Sequence, residues 1–208
     1  MKEIILHCIS AFMAFFAIMN PIANVPIFLG LTSDEDAETT AAIARRSLIL
    51  AFIIIALFSI AGKTIFQLFG ITLPAFKITG GLLVFVIGFQ MLQGNHSSMQ
   101  HPSHEDKLKS REAELGIAVS PLAMPILAGP GTIATAISLS AGGGYLKVGI
   151  TIAMFAILCV ITYVFFIFGE RFVNYIGTSA LNVITRMMGL ILAVIGTQMV
   201  IAGIQGTF

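Results

Sequence analysis

The chain predicts an all-α polytopic membrane protein, with six transmembrane helices folded as two inverted three-helix repeats and the first and fourth spans broken near the bilayer midplane. Three observations carry this. Of 208 residues, 57% are apolar and 10% charged, which leaves too little polar surface to cover a soluble domain of that length. Apolar stretches fall near 4–30, 47–63, 70–92, 116–141, 148–169 and 187–205, each close to the roughly 20 residues a spanning helix needs. Finally, Gly81-Leu-Leu-Val-Phe-Val-Ile-Gly88-Phe-Gln90-Met-Leu92 returns as Gly189-Leu-Ile-Leu-Ala-Val-Ile-Gly196-Thr-Gln198-Met-Val200, identical at seven of twelve positions.

In chain order, the amino-terminal run is expected to stay as the first span. Only Lys2 precedes it, and it continues through Asn20-Pro21 with no small-residue cleavage pattern. The duplicated segment is the third of each set of three spans, so each half holds an odd number of spans and sits upside down relative to the other. Residues 1–94 and 116–208 form the two repeats, joined by a cytoplasmic linker loop, 95–115. Such inverted repeats build many secondary transporters, in which one half rocks against the other around a central site.

Lys and Arg orient the spans, because acidic residues contribute little to the bias. With both termini outside, the inner loops and span ends carry Arg45, Arg46, Lys107, Lys109, Arg111, Arg171 and Arg186, against Lys2, Lys63, Lys77 and Lys147 outside. Seven against four favours that arrangement, in the cell (inner) membrane.

The chemistry is expected at two helix breaks. The first span is interrupted by Asn20-Pro21-Ile-Ala-Asn24-Val-Pro26, the fourth by Pro121-Leu-Ala-Met-Pro125-Ile-Leu-Ala-Gly129-Pro130-Gly131-Thr132. Pro21, Pro26 and Pro130 should free the carbonyls of Ala17, Ile22 and Ile126. Backbone groups left unpaired in hydrocarbon cost several kcal/mol, so such breaks survive only beside protein or a water-filled cavity. Aligning Asn20-Pro21 with Gly129-Pro130 takes an offset of 109, against 108 for the duplicated segment. Pairing Asn20-Pro21 with Ser120-Pro121 keeps the cap-then-proline chemistry but leaves the second break too shallow.

No Asp or Glu lies within a span, so the cavity is expected to be neutral. Half-helix N–H groups attract an anion and freed carbonyls an ammonium, beside the amides of Asn20 and Asn24 and the hydroxyls of Thr132 and Thr135. These parts suit a small zwitterionic solute. Gly129 and Gly131 let it approach the backbone.

The motifs Met19-Asn-Pro-Ile-Ala-Asn-Val-Pro-Ile-Phe28, Pro121-Leu-Ala-Met-Pro-Ile-Leu-Ala-Gly-Pro-Gly-Thr132 and Met188-Gly-Leu-Ile-Leu192, with six spans in about this length, resemble the MarC family of bacterial and archaeal membrane proteins. The resemblance covers essentially the whole chain. It implies a six-span member of the lysine-exporter-like superfamily, grouped as neutral amino acid transporters with glycine and alanine as suggested substrates.

Other polar residues have plainer roles. Gly81 with Gly88, and Gly189, Gly196 and Gly203, recur every seven residues, the signature of close helix packing. Gln90 and Gln198 read equally as interhelical hydrogen bonds or as equivalent gates. The linker's His96, His101, His104, Glu105 and Asp106 match no four-ligand zinc spacing, so neither metal nor cofactor is expected, and His7 reads as an interfacial polar residue. Cys8 and Cys159 form no C-x-x-C pair. Because some members of the wider superfamily move electrons through membrane thiols, a thiol electron carrier is the rival from another functional class, beside a channel or exporter of another small solute. No pattern of an enzyme is present. Net charge +1 gives no reason to expect a nucleic-acid partner; the partners are the bilayer, the solute and, open as to state, further copies in a homo-oligomer.

Overall fold

The computed structural model describes residues 2–33, 35–94, 127–140 and 144–207. Its regular elements are all helices: α1 Lys2–Met19, α2 Pro21–Leu31, α3 Ala37–Leu68, α4 Leu73–Leu92, α5 Pro130–Ser140, α6 Gly144–Ile167, α7 Gly169–Ile176 and α8 Thr178–Gln205. Five segments are long and apolar enough to cross a membrane: Lys2–Leu31, Ala37–Gly62, Leu73–Leu92, Gly144–Ile167 and Ser179–Gln205. Of the expected fourth span only 127–140 is described; Pro125 and the linker 95–115 lie outside the described residues.

Local chemistry sets the boundaries. Asp36 caps α3 by accepting from the Thr39 N–H at 2.7 Å, so the helix begins ten residues before the predicted span at 47. Hydropathy registers only the apolar part; Arg45 and Arg46 ride on a polar extension of the same helix. α8 likewise starts at Thr178, nine residues before the expected 187. Thr72 caps α4 by accepting from Ala75 N–H at 3.3 Å, with Pro74 in the first turn, where its missing N–H costs nothing.

The described helices pack as a bundle and a pair. The bundle core joins Phe15 and Met19 of α1, Val25 and Phe28 of α2, Leu48 and Ile55 of α3, Ala136 of α5, and Phe155 and Phe166 of α6, all buried. Two aromatic contacts tie α1 and α2 to α6: Phe15 meets Phe155 edge-on at 5.0 Å, and Phe28 stacks on Phe166 at 4.3 Å. The pairs advance together along both chains, so α1 and α6 run parallel. α3 runs against α6: the Leu48 carbonyl early in α3 lies 3.9 Å from Cys159 Sγ far along α6, whereas Gly62 near the end of α3 meets Ile137, which precedes the start of α6.

α4 and α8, which carry the duplicated segment, pack antiparallel on glycines. A methyl at Gly81 would lie 2.6 Å from the Gly196 carbonyl, one at Gly189 would lie 2.8 Å from the Gly88 carbonyl, and one at Gly203 would lie 2.8 Å from the Pro74 carbonyl. The small-residue reading of the sequence holds: backbones approach this closely only where no side chain intervenes. Exposed apolar side chains such as Met13, Ile53, Leu57, Ile60, Phe85, Val160 and Val194 cover the outside, as a surface solvated by lipid requires.

Charge is sorted along the bundle axis. Arg45, Arg46, Arg171 and Arg186 cluster where α3 and α8 begin and α7 follows α6, whereas Lys2, Lys77 and Lys147 lie where α1, α4 and α6 begin, at the opposite end.

The glycine seam yields a stability test. Gly88→Ala and Gly196→Ala place a methyl against backbone of the partner helix, which cannot turn aside, and should each cost about 1–3 kcal/mol. Gly149→Ala, with nothing within 4 Å of its added methyl, should cost nothing. Thermal unfolding in detergent measures all three.

Candidate solute site between two proline-initiated half-helices

α2 and α5 are counterparts in detail. Each opens on a proline, Pro21 and Pro130, so the alignment at offset 109 falls on two helix starts, each described over 11 residues. Eleven residues span about 16 Å, roughly half the ~30 Å hydrocarbon layer. Both starts face one cavity of about 290 Å³.

Asn20 makes the first break. Its backbone is left-handed, φ 45° and ψ 67°, a conformation in which asparagine is among the few tolerated side chains. Its Oδ1 accepts from the Ala23 N–H at 3.3 Å. Because that N–H can only donate, the remaining amide atom must be Nδ2. Asn20 is only 4% exposed, and Nδ2 is buried without a hydrogen-bond partner among the described residues. Asn24, one turn on, spends its Nδ2 on the Met19 carbonyl at 2.7 Å. One carbonyl at the break is thus already satisfied, and the acceptors freed by proline are the Ala17 and Ile22 carbonyls; Ile126 lies outside the described residues.

At the second break, Gly129 O accepts from the Ile133 N–H at 3.0 Å, which leaves the Gly131 and Thr132 N–H groups as the first-turn donors of α5. Gly131 is also a close approach. A side chain there would strike Val84 of α4 and come within 3.4 Å of Ile18, so the glycine seats α5 against α4 and α1 as well as lining the cavity.

The cavity wall brings together Asn20, Asn24, Gly129, Pro130, Gly131 and Thr132, as the sequence predicts, and adds Val84, Ile87 and Met91 of α4 and Gly94 just past its end with Asn182, Thr185 and Arg186 of α8. Pro21, Pro26 and Thr135 stand off the wall: Pro21 is buried at the α2 start, Pro26 is exposed on α2, and Thr135 is buried one turn deeper in α5. Gln90 and Gln198 sit outside the wall on α4 and α8, half-buried and exposed respectively.

Arg186 corrects the expected neutrality. It was counted as a loop charge because the apolar run begins at Met187, but α8 is already helical there, and Asn182, Thr185 and Arg186 share a face by their spacing of three and four. That polar spacing ahead of an apolar run is the signal that could have revealed them. Among the described residues no carboxylate lines the cavity, and Arg186 gives their lining a positive charge.

The lining also gives the cavity a direction. From Val84 to Gly94 it follows α4 for about 15 Å and ends at Arg186, the arginine-bearing end of the bundle. Toward the lysine end no residue of α1 before Ile18 and none of α5 after Thr132 takes part.

The thiols lie elsewhere. Cys159 is buried in α6 with Sγ 3.9 Å from the Leu48 carbonyl, and Cys8 is half-buried near the start of α1. Taking the Phe15–Phe155 contact as register, they stand about 16 Å apart along the parallel helices, beyond the ~7 Å Cα separation a disulfide allows. Neither lines the cavity. Among the described residues no group of three or more His, Cys, Asp or Glu side chains could hold a metal ion.

With six apolar stretches, the paired motifs and this geometry in hand, comparison decides the family. The family model described as MarC family integral membrane protein matches residues 5–208. The chain belongs to the MarC family. It is an integral multi-pass membrane protein. Similar proteins include the UPF0056 membrane protein YvbG of Bacillus subtilis, 43% identical over 96% of this chain and 95% of the relative. A UPF0056 membrane protein of Aquifex aeolicus is 36% identical over 99% and 95%, and the UPF0056 membrane protein YhcE of Escherichia coli is 33% identical over 95% and 91%. No solved structure gives a significant match.

Asn20 separates stability from site chemistry. Asn20→Ala loses the cap and keeps a side chain in a left-handed backbone, and should cost about 0.5–2 kcal/mol. Asn20→Gly loses the same amide but accepts the backbone, and should cost only a few tenths of that scale. Thermal unfolding of both variants beside the parent checks the order.

Proposed function

We propose that this MarC-family protein is a secondary transporter of the inner cell membrane, moving a small carboxylate-bearing solute of the neutral amino acid class, glycine and alanine among them, by alternating access. One observation carries the reading: two proline-initiated half-helices open onto a single cavity whose volume, about 290 Å³, is at the small end for ligand pockets. Broken helices facing a common site are how transporters offer backbone groups to a solute inside a bilayer. The Gly131 and Thr132 N–H groups and the Asn20 amide suit the carboxylate. The Ala17 and Ile22 carbonyls are the acceptors for an ammonium.

The inverted repeat belongs to the same proposal, with units 1–94 and 116–208 and a linker 95–115 between them. It is supported by direction. α4 and α8 are antiparallel, so are α3 and α6, and α5 starts beside Ile18 near the end of α1 and runs back along it to bring Ile137 to Gly62. Three pairs of equivalent helices, each antiparallel, are what a dyad in the membrane plane generates. The sixth span of this proposal is the fourth in order, of which 127–140 is described. Under the positive-inside rule the arginine end is cytoplasmic, both termini are outside, and the cavity is open inward.

Counterflow of radiolabelled glycine and alanine in proteoliposomes tests the transport reading, with and without proton or sodium gradients. The parent should exchange at least one of them. Ala23→Leu, which fills space on the cavity wall, should abolish exchange at parental expression, and the double variant Cys8→Ala, Cys159→Ala should exchange at the parental rate. Flux lost in the cysteine variant alone would instead favour the thiol carrier.

A further inference from the structure

Arg186 is a guanidinium on the wall of a cavity that has no carboxylate among its described lining residues. Its Nη2 lies 2.9 Å from where a Cβ of Gly94 would stand, and Gly94, with φ 75°, is the left-handed residue that closes α4. The guanidinium thus packs directly against the Gly94 backbone. An arginine beside a helix carboxyl end commonly caps its last carbonyls, but Arg186 makes no hydrogen bond with any described residue. Its five N–H donors, in a planar fork matched to carboxylate geometry, point to another partner.

Further along the same wall is a second group with the same need. The Asn20 Nδ2 is an amide donor 96% withdrawn from solvent, going by the 4% exposure of its residue, and it has no acceptor. A buried donor left unpaired costs about 1–3 kcal/mol, which a ligand oxygen would recover. Beside it, Gly131 and Thr132 offer the first-turn N–H groups of α5, and both half-helices present their positive dipole ends to the cavity. From mouth to break, every fixed charge and every unpaired side-chain donor asks for negative oxygen.

Resting on the transporter reading, we infer that the site is an oxyanion site. Arg186 is its specificity-determining residue: it recruits a carboxylate at the mouth, while the Asn20 amide and the start of α5 receive it at depth. The carboxylate is the part of the solute that is recognised, and an ammonium is optional. A simple monocarboxylate should therefore occupy the site, and a simple amine should not.

Isothermal titration of the full chain in nanodiscs tests this, with sodium acetate, glycine, methylammonium chloride and acetamide as probes at constant ionic strength. Acetate and glycine should bind, and methylammonium and acetamide should not. Arg186→Gln should weaken acetate by at least roughly tenfold, the loss expected for one charge-assisted hydrogen-bonded pair, and Arg186→Lys should weaken it less. Asn20→Asp keeps the cap acceptor for Ala23 but replaces the lone donor with negative charge, and should abolish acetate binding. Thermal unfolding of each variant accompanies the titrations. Lowered stability of Arg186→Gln with parental acetate affinity would make the arginine a cap of α4 and overturn the assignment. So would binding of methylammonium as tight as that of acetate, or no acetate binding by the parent. Glycine counterflow separates the two readings: exchange by Arg186→Gln at the parental half-saturation sinks the arginine's role and leaves transport standing, whereas Arg186-dependent binding without any flux sinks transport and leaves the oxyanion site.

Discussion

Inside a bilayer the backbone has no water to fall back on, and this protein is organised around the places where that constraint is hardest to meet. Each proline in the first and fourth spans removes an N–H that a helix would use. The structure answers at the first break with side chains. Asn20 turns the chain left-handed and caps α2, and the Asn24 amide takes the Met19 carbonyl. What is left over after that accounting, an amide donor and the opening turn of α5, faces a cavity. The site is thus the remainder of an incomplete solution to a backbone problem.

Much of this was legible in the sequence, because proline, glycine and asparagine act locally. Pro21 and Pro130 stop one helix and start another whatever surrounds them, so both helix starts and their matched offset could be read directly. The seven-residue glycine spacing likewise fixed the α4–α8 contact, since a face without side chains has few uses other than close approach. Six of the ten residues assigned to the site stand on the cavity wall, all at or just after a break.

The failures share a cause as well. Hydropathy marks where lipid ends, but a helix does not stop there, and α3 and α8 each run some ten residues beyond their apolar stretch. Arg186 was lost in that margin. A charge counted only by which side of the membrane it occupies tells nothing of the direction its side chain takes, so a neutral site is expected where Arg186 in fact lines the cavity. Thr135 failed for a simpler reason: at three residues from Thr132 it shares its helix face, but it lies a turn past the floor of the cavity. Gly131, read as clearance for a ligand, also proves to be clearance for Val84.

The glycine seam between α4 and α8 has a mechanical consequence. Surfaces in contact backbone to backbone at successive glycines behave as one solid, and these two helices should travel as a single lever. Movement must then concentrate where the lever meets the bundle, at contacts made by side chains. Gly80, whose added methyl would come within 3.1 Å of the Ala134 methyl, marks that bearing surface.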